Sequence, residues 1–90
     1  MSTRRNKARI IYDMLQSIND KGNKIKPTHL LYKSNLSHKK MVEYVDELLK
    51  NNMISKRTIN SKKYFELTEK GFRFISEYKK IQEFTDSFGL

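Results

Sequence analysis

The stretch "NLSHKKMVEYVDELL", residues 35–49, decides how the rest of the chain is read. Met41, Tyr44, Val45, Leu48 and Leu49 recur at the spacing of one helix face. Lys39, Lys40, Glu43, Asp46, Glu47 and Lys50 fall on the other side at 100° per residue. Ser37 stands where such a helix starts, and its hydroxyl can accept from a free N–H of the first turn. With "KNN" as its end, the pattern predicts a helix over about 38–51. The charge order is unusual. His38, Lys39 and Lys40 follow the cap directly, and the acids come later. Lysine beside a helix N-terminus opposes the helix dipole, so this order costs helix stability and points to a use outside the helix.

Working backward, "KIKPTHLLYKSN" precedes this helix. Pro27 suits the first turn of a short helix, where its missing N–H costs nothing. Leu30 and Leu31 are its expected buried residues, and Asn35 and Leu36 make the turn out. Before it, Ile11, Met14, Leu15 and Ile18 predict a first helix over 4–20, broken by "NDKGNK" with Gly22 as the stop. Working forward, "MISKRTI" and "KYFELT" read as two strands, with Ile54, Phe65 and Leu67 alternating with polar or half-polar neighbours. "NSKK" between them is a polar turn through Asn60 and Ser61, which gives a hairpin with a basic tip. Thr68 is the expected cap of a last helix over about 69–87, on which Phe74, Ile75, Tyr78, Ile81 and Phe88 share a face. Gly71 lies on that face too, where a missing side chain permits close packing. Tyr44, Phe65, Leu67, Phe74 and Ile75 are expected in the core. The order helix-helix-helix-strand-strand-helix is mainly α with a small β-hairpin (α+β): a winged helix-turn-helix, as one domain over 1–90.

The 90 residues carry 19 Lys plus Arg against 10 Asp plus Glu, a net charge of +9. Residues 1–40 hold net +8, residues 41–63 net +2 and residues 64–90 net −1, so the front of the chain carries the attraction for polyanions. There is no cysteine, which excludes disulfides and thiolate metal sites and fits a reducing cytoplasm. No apolar run approaches the length of a membrane span. No glycine-rich phosphate loop or histidine-rich cluster is present, and His29 and His38 fall on different helices. Catalysis, a metal, a cofactor and a small-molecule ligand are therefore not expected.

The runs "NLSHKKMVEYVDELLKNNMI" and "KYFELTEKGFRFISEYKKI" resemble the small archaeal winged-helix DNA-binding proteins. The likeness rests on Asn35-Leu36-Ser37, Leu48-Leu49, Met53-Ile54, Tyr64 to Leu67 and Thr68-Glu69-Lys70-Gly71, and spans roughly residues 8–81. It implies transcriptional regulators or chromatin-associated proteins that act as homodimers, often joined by an antiparallel coiled coil of the last helix. Here the last helix is short, and its seam breaks down after Ile81 into "QEFTDSFGL". Asn51-Asn52 stands where that family usually has glycine, and asparagine tolerates the left-handed conformation.

A recognition helix reaches base edges with its N-terminal residues. Ser37, His38, Lys39 and Lys40 occupy that turn here; a serine that only caps, followed by lysines on a solvated face, is the competing explanation. Lysine can donate to guanine O6 and N7, and Glu43, one turn on, can accept from cytosine N4. Asp46 and Glu47 would repel phosphate, so docking by the front half alone is expected. Arg57, Lys62 and Lys63 are the wing candidates for phosphate or minor-groove contacts; a charged edge that blocks sheet aggregation is the competing explanation. Arg4, Arg5, Lys7 and Arg9 read as a backbone-binding arm or as a plain basic tail. Thr28 and Lys33 are further phosphate candidates or simple surface. Phe72 and Phe84 lie off the main stripe, and with Tyr78, Ile81 and Phe88 they suggest a dimer contact; packing of the helix end on the first helix is the alternative. The expected partners are double-stranded DNA and a second copy of the chain, in the cytoplasm on the nucleoid. A protein-interaction module and a sequence-independent DNA-coating protein remain alternatives, with RNA disfavoured by the lack of a stacking platform.

Overall fold

The computed structural model describes residues 6–90. The elements are α1 (Lys7–Asp20), α2 (Pro27–Ser34), α3 (His38–Lys50), β1 (Ile54–Ile59), β2 (Lys62–Leu67) and α4 (Glu69–Ser87), in the order the sequence predicts. The first helix starts at Lys7 rather than at residue 4, because Asn6 is its cap and accepts from the Arg9 N–H at 2.8 Å. α1 packs on α2, α4 and β2, and the two strands form one antiparallel hairpin. Met14, Leu15 and Ile18 of α1, Leu30 of α2, Leu48 of α3 and Ile54 of β1 are all but sealed from solvent in one core. Each such side chain contributes roughly 1.5–3 kcal/mol over its exposed state.

Each helix end is closed by a residue suited to it. Gly22 ends α1 at φ 73°, with the Asn23 N–H donating to the Ile18 carbonyl at 3.0 Å. Asn35 ends α2 in the left-handed region. Asn52 does the same after α3 at φ 58°: its N–H donates to the Leu49 carbonyl at 3.1 Å, and the Met53 N–H donates to that of Leu48 at 2.9 Å. This paired closure normally uses glycine; asparagine fills the position here, as the sequence predicts. Met53 and Leu48, the residues it brings together, are both buried.

The "LTEKG" run is explained by the junction it builds. Thr68 caps α4 by accepting from the Gly71 N–H at 3.1 Å. Its hydroxyl donates to the Asn52 carbonyl, and its N–H donates to the Met53 carbonyl at 3.2 Å. The Lys70 ammonium donates to the Asn51 carbonyl at 2.9 Å. Three successive carbonyls after α3 are thus satisfied by the first turn of α4. A Cβ on Gly71 would overlap the Met53 carbonyl oxygen, so glycine is what lets the two segments meet.

One element was not legible. Ile25 forms a single bridge with Phe65 on the free edge of β2, through reciprocal bonds of 3.0 and 2.8 Å. It is buried. Asn23, at φ 62°, accepts from the Leu67 N–H through its side-chain oxygen at 2.7 Å. The α1–α2 connection, which the sequence reads only as a helix break, therefore anchors the hairpin.

Candidate nucleic-acid interface

α3 begins as the sequence predicts. Ser37 is extended and its hydroxyl accepts from the Lys40 N–H at 3.2 Å. No acid lies in the first turn, and His38, Lys39 and Lys40 are all exposed. Met41, Val45 and Leu48 face the core, with Tyr44 and Leu49 at its margins. All three acids of the helix are engaged by lysines. Lys40 lies 3.7 Å from Glu43, Lys50 lies 3.1 Å from Asp46, and Lys7 of α1 lies 2.6 Å from Glu47. The Glu47 hydrogen bond, and then its charge, hold the Lys7 ammonium above its ordinary pKa. Among the described residues, His38 and Lys39 pair with no acid. The repulsion that the acids would exert on phosphate is therefore offset within the helix surface, and Lys39, which pairs with no acid among the described residues, sits at its front beside His38.

The hairpin turns through Asn60 and Ser61 at φ 51° and 66°, the two-residue turn whose twist matches that of paired strands. Its register sets Ile59 opposite Lys62 and Ile54 opposite Leu67. Side chains alternate across a strand, so Ile54, Lys56 and Thr58 share a face with Lys63, Phe65 and Leu67. Ser55, Arg57 and Ile59 share the other with Lys62, Tyr64 and Glu66. The first face meets α3: Lys56 and Phe65 line a shallow cleft with His38, Val42 and Asp46. The opposite face is turned toward the α1–α2 connection, where Arg57 and Glu66 border Gly22, Asn23 and Lys24. There Arg57 pairs with Glu66 at 3.0 Å, and the Lys24 ammonium lies 5.2 Å above the Tyr64 ring.

The three wing candidates are thus not one cluster. Lys63 shares the face that meets α3, while Arg57 and Lys62 are on the far face, with Arg57 committed to Glu66. Lys56, which sequence reasoning passed over, takes a place beside His38. The clue was present: Ile54 marks the buried face, and two residues on is Lys56. Val42 was passed over too, although it is an exposed apolar residue between Lys39 and Glu43.

The remaining candidates separate. Arg4 and Arg5 lie outside the described residues. Lys7 and Arg9 belong to α1 itself rather than to an extended arm, and both are ion-paired, Arg9 with Asp13 at 3.1 Å. Thr28 and Lys33 are exposed at opposite ends of α2. On α4, Tyr78 stacks on Tyr12 of α1 with centroids 4.6 Å apart, so it is held within the chain. Beyond it the apolar stripe leaves the core. Ile81 is 63% exposed, Phe84 and Phe88 are 66% exposed, and those two rings meet edge to face at 5.1 Å. Among the described residues no group of three or more metal-ligating side chains occurs, and no helix is long and apolar enough to cross a membrane.

Comparison with known proteins agrees with this architecture. A family model described as winged helix-turn-helix matches residues 4–86. Among solved structures, Sso10a-2, a DNA-binding protein from Sulfolobus solfataricus, superposes with a TM-score of 0.73 at 28% identity, over 94% of this chain and 90% of that one. F93 from STIV, a winged-helix DNA-binding protein, gives 0.76 at 16% identity, over 88% and 92%. A MarR family protein from Bacillus stearothermophilus gives 0.71 at 22% identity, over 86% of this chain but 56% of that one. No curated protein matches the sequence.

Proposed function

The chain belongs to the winged helix-turn-helix family, and from that premise we propose that it binds double-stranded DNA as a homodimeric transcriptional regulator. The observation that carries the proposal is the front of α3. An uncommitted His38 and Lys39 stand on a capped helix start with no acid in its first turn, and Lys56 and Lys63 of the hairpin share that side. The N-terminal half of α3 enters the major groove, where Ser37, His38, Lys39 and Lys40 meet phosphate and base edges and Glu43 accepts from cytosine. Lys63 and Lys56 track one backbone beside the groove. Lys62 and Arg57 reach the next from the far face of the wing, and Thr28 and Lys33 touch phosphate from α2. DNA binding of this kind places the protein on the nucleoid. The DNA-binding character of Sso10a-2, whose sequence is 28% identical over nearly the whole chain, supports the same reading.

The dimer contact is the exposed end of α4, through Ile81, Phe84 and Phe88. A two-fold pair presents two α3 helices to half-sites about 34 Å apart. The interaction-module alternative drew its support from the acids of α3, and each of these is held by a lysine.

The test is Lys39→Ala with Lys40→Ala in a duplex-binding assay. The double variant keeps its helical spectrum and loses roughly tenfold or more in affinity, and its salt dependence falls by about one phosphate contact per lysine on the backbone. Unchanged affinity would remove α3 from the interface.

A further inference from the structure

We propose that Val42 reads the 5-methyl group of thymine, which makes it a specificity-determining residue; this rests on the DNA-binding reading above. Val42 is 48% exposed on a helix whose other apolar side chains are buried or half-buried. Its neighbours one turn before it are His38 and Lys39, both exposed and both assigned to the groove; one turn after it come the buried Val45 and the exposed Asp46, so it stands where the front half of α3 meets the core-facing stripe. It also lines the cleft between α3 and the hairpin, where Met41, Val45 and Phe65 are buried and His38, Asp46 and Lys56 are exposed.

The residue choice is costly without a ligand. A β-branched side chain loses rotamer freedom in a helix, and about half of this one is exposed to water. Lysine or glutamate at this position would be better for both helix and solubility. An exposed apolar side chain within a polar surface matches one feature of the major groove. That feature is the thymine methyl, the only apolar group that base pairs made of the four standard bases present there. Lys39 and Lys56 hold the backbone, and the valine then discriminates within the groove.

The experiment uses the full chain and one randomised duplex pool amplified twice, once with thymidine triphosphate and once with deoxyuridine triphosphate. The two pools share every sequence and differ only in the methyl group. In direct competition at near-physiological salt, the wild type retains the thymine pool over the uracil pool by about fourfold, the worth of one buried methyl-sized group of about 0.8 kcal/mol. In Val42→Ala the ratio falls to near one, and in the isosteric Val42→Thr it is intermediate; helical spectra confirm that both fold. A wild-type ratio near one, with binding intact, would overturn the inference and leave the DNA reading standing. A fourfold ratio that survives Val42→Ala would also overturn it, since the methyl would then be sensed elsewhere. Failure of the wild type to bind either pool would overturn the DNA reading and this inference together.

Discussion

Replacing Gly71 by alanine sets two ordinary rules against each other. In an exposed helix interior, glycine to alanine stabilises by about 1 kcal/mol, because the unfolded chain has less freedom to lose. At Gly71 the new methyl group would overlap the Met53 carbonyl oxygen and stand 3.3 Å from the Leu67 Cδ2. The carbonyl cannot simply give way. It accepts from the Thr68 N–H at 3.2 Å, and the Met53 N–H is itself tied to Leu48 at 2.9 Å. Relief requires α4 to move off the end of α3, which strains the Thr68 and Lys70 bonds together. Overpacking costs about 1–3 kcal/mol, and an obstacle made of backbone belongs at the upper end. Net of the helix gain, Gly71→Ala destabilises by about 2 kcal/mol, which lowers the Tm of a domain this size by roughly 8–16 °C. Thermal and urea unfolding followed by circular dichroism measures this directly. A variant as stable as the wild type, or more so, would refute the reasoning, because propensity alone would then have decided the outcome.

The other predictions concern single contacts. Thr68→Ala removes the α4 cap and its bridge to Asn52, for a loss of about 1–2 kcal/mol, while Thr68→Ser restores most of it in the same urea titration. Because Glu47 raises the pKa of Lys7, the contribution of that pair to stability is complete below the ordinary value of 10.5 and is lost as pH climbs through the raised one. In Glu47→Gln, nuclear magnetic resonance titration should find the Lys7 ammonium back near its ordinary value; an unchanged midpoint would mean that Glu47 is not the cause. Phe84→Glu with Phe88→Glu places two charges on the exposed end of α4 and yields a monomer at every concentration in sedimentation equilibrium. A wild type that is itself monomeric throughout would dispose of the dimer.

The parts of this fold that were legible are those where one residue does one local job. Ser37 and Thr68 announce helix starts because a free N–H needs a nearby acceptor. Asn60-Ser61 announces the hairpin turn, and the stripes of α1 and α3 announce their buried faces. What escaped depends on segments distant in sequence. Ile25 lies between two lysines, and nothing local says that it bridges to Phe65, 40 positions away. Asn23 gives no hint that its side chain accepts from Leu67.

The candidate site divides in the same way. The front of α3 was readable, because cap and lysines adjoin in sequence. The wing was readable as basic but not as two-faced. Its cations are sorted by the pairing of β1 with β2 and by which side meets α3. Strict alternation from Ile54 would have placed Lys56 on the α3 side. The pairing of α3's acids with Lys7, Lys40 and Lys50 was only partly accessible. Two of the pairs are one helical turn apart, but the Lys7–Glu47 pair joins different helices.

The central claim is that the front of α3 and the hairpin make a DNA-binding surface, and its most direct test is fluorescence anisotropy on a random duplex of about 30 base pairs. The measurement is run across a salt series and repeated with unlabelled DNA of mixed sequence as competitor. With about five phosphate contacts per protomer, and so about ten for the dimer, the logarithm of affinity should fall against the logarithm of salt with a slope of about −9, a loss on the order of 10⁵-fold between 50 and 200 mM. No binding at the lowest salt, or binding that salt leaves unchanged, would contradict the account and turn attention to a protein partner for α3.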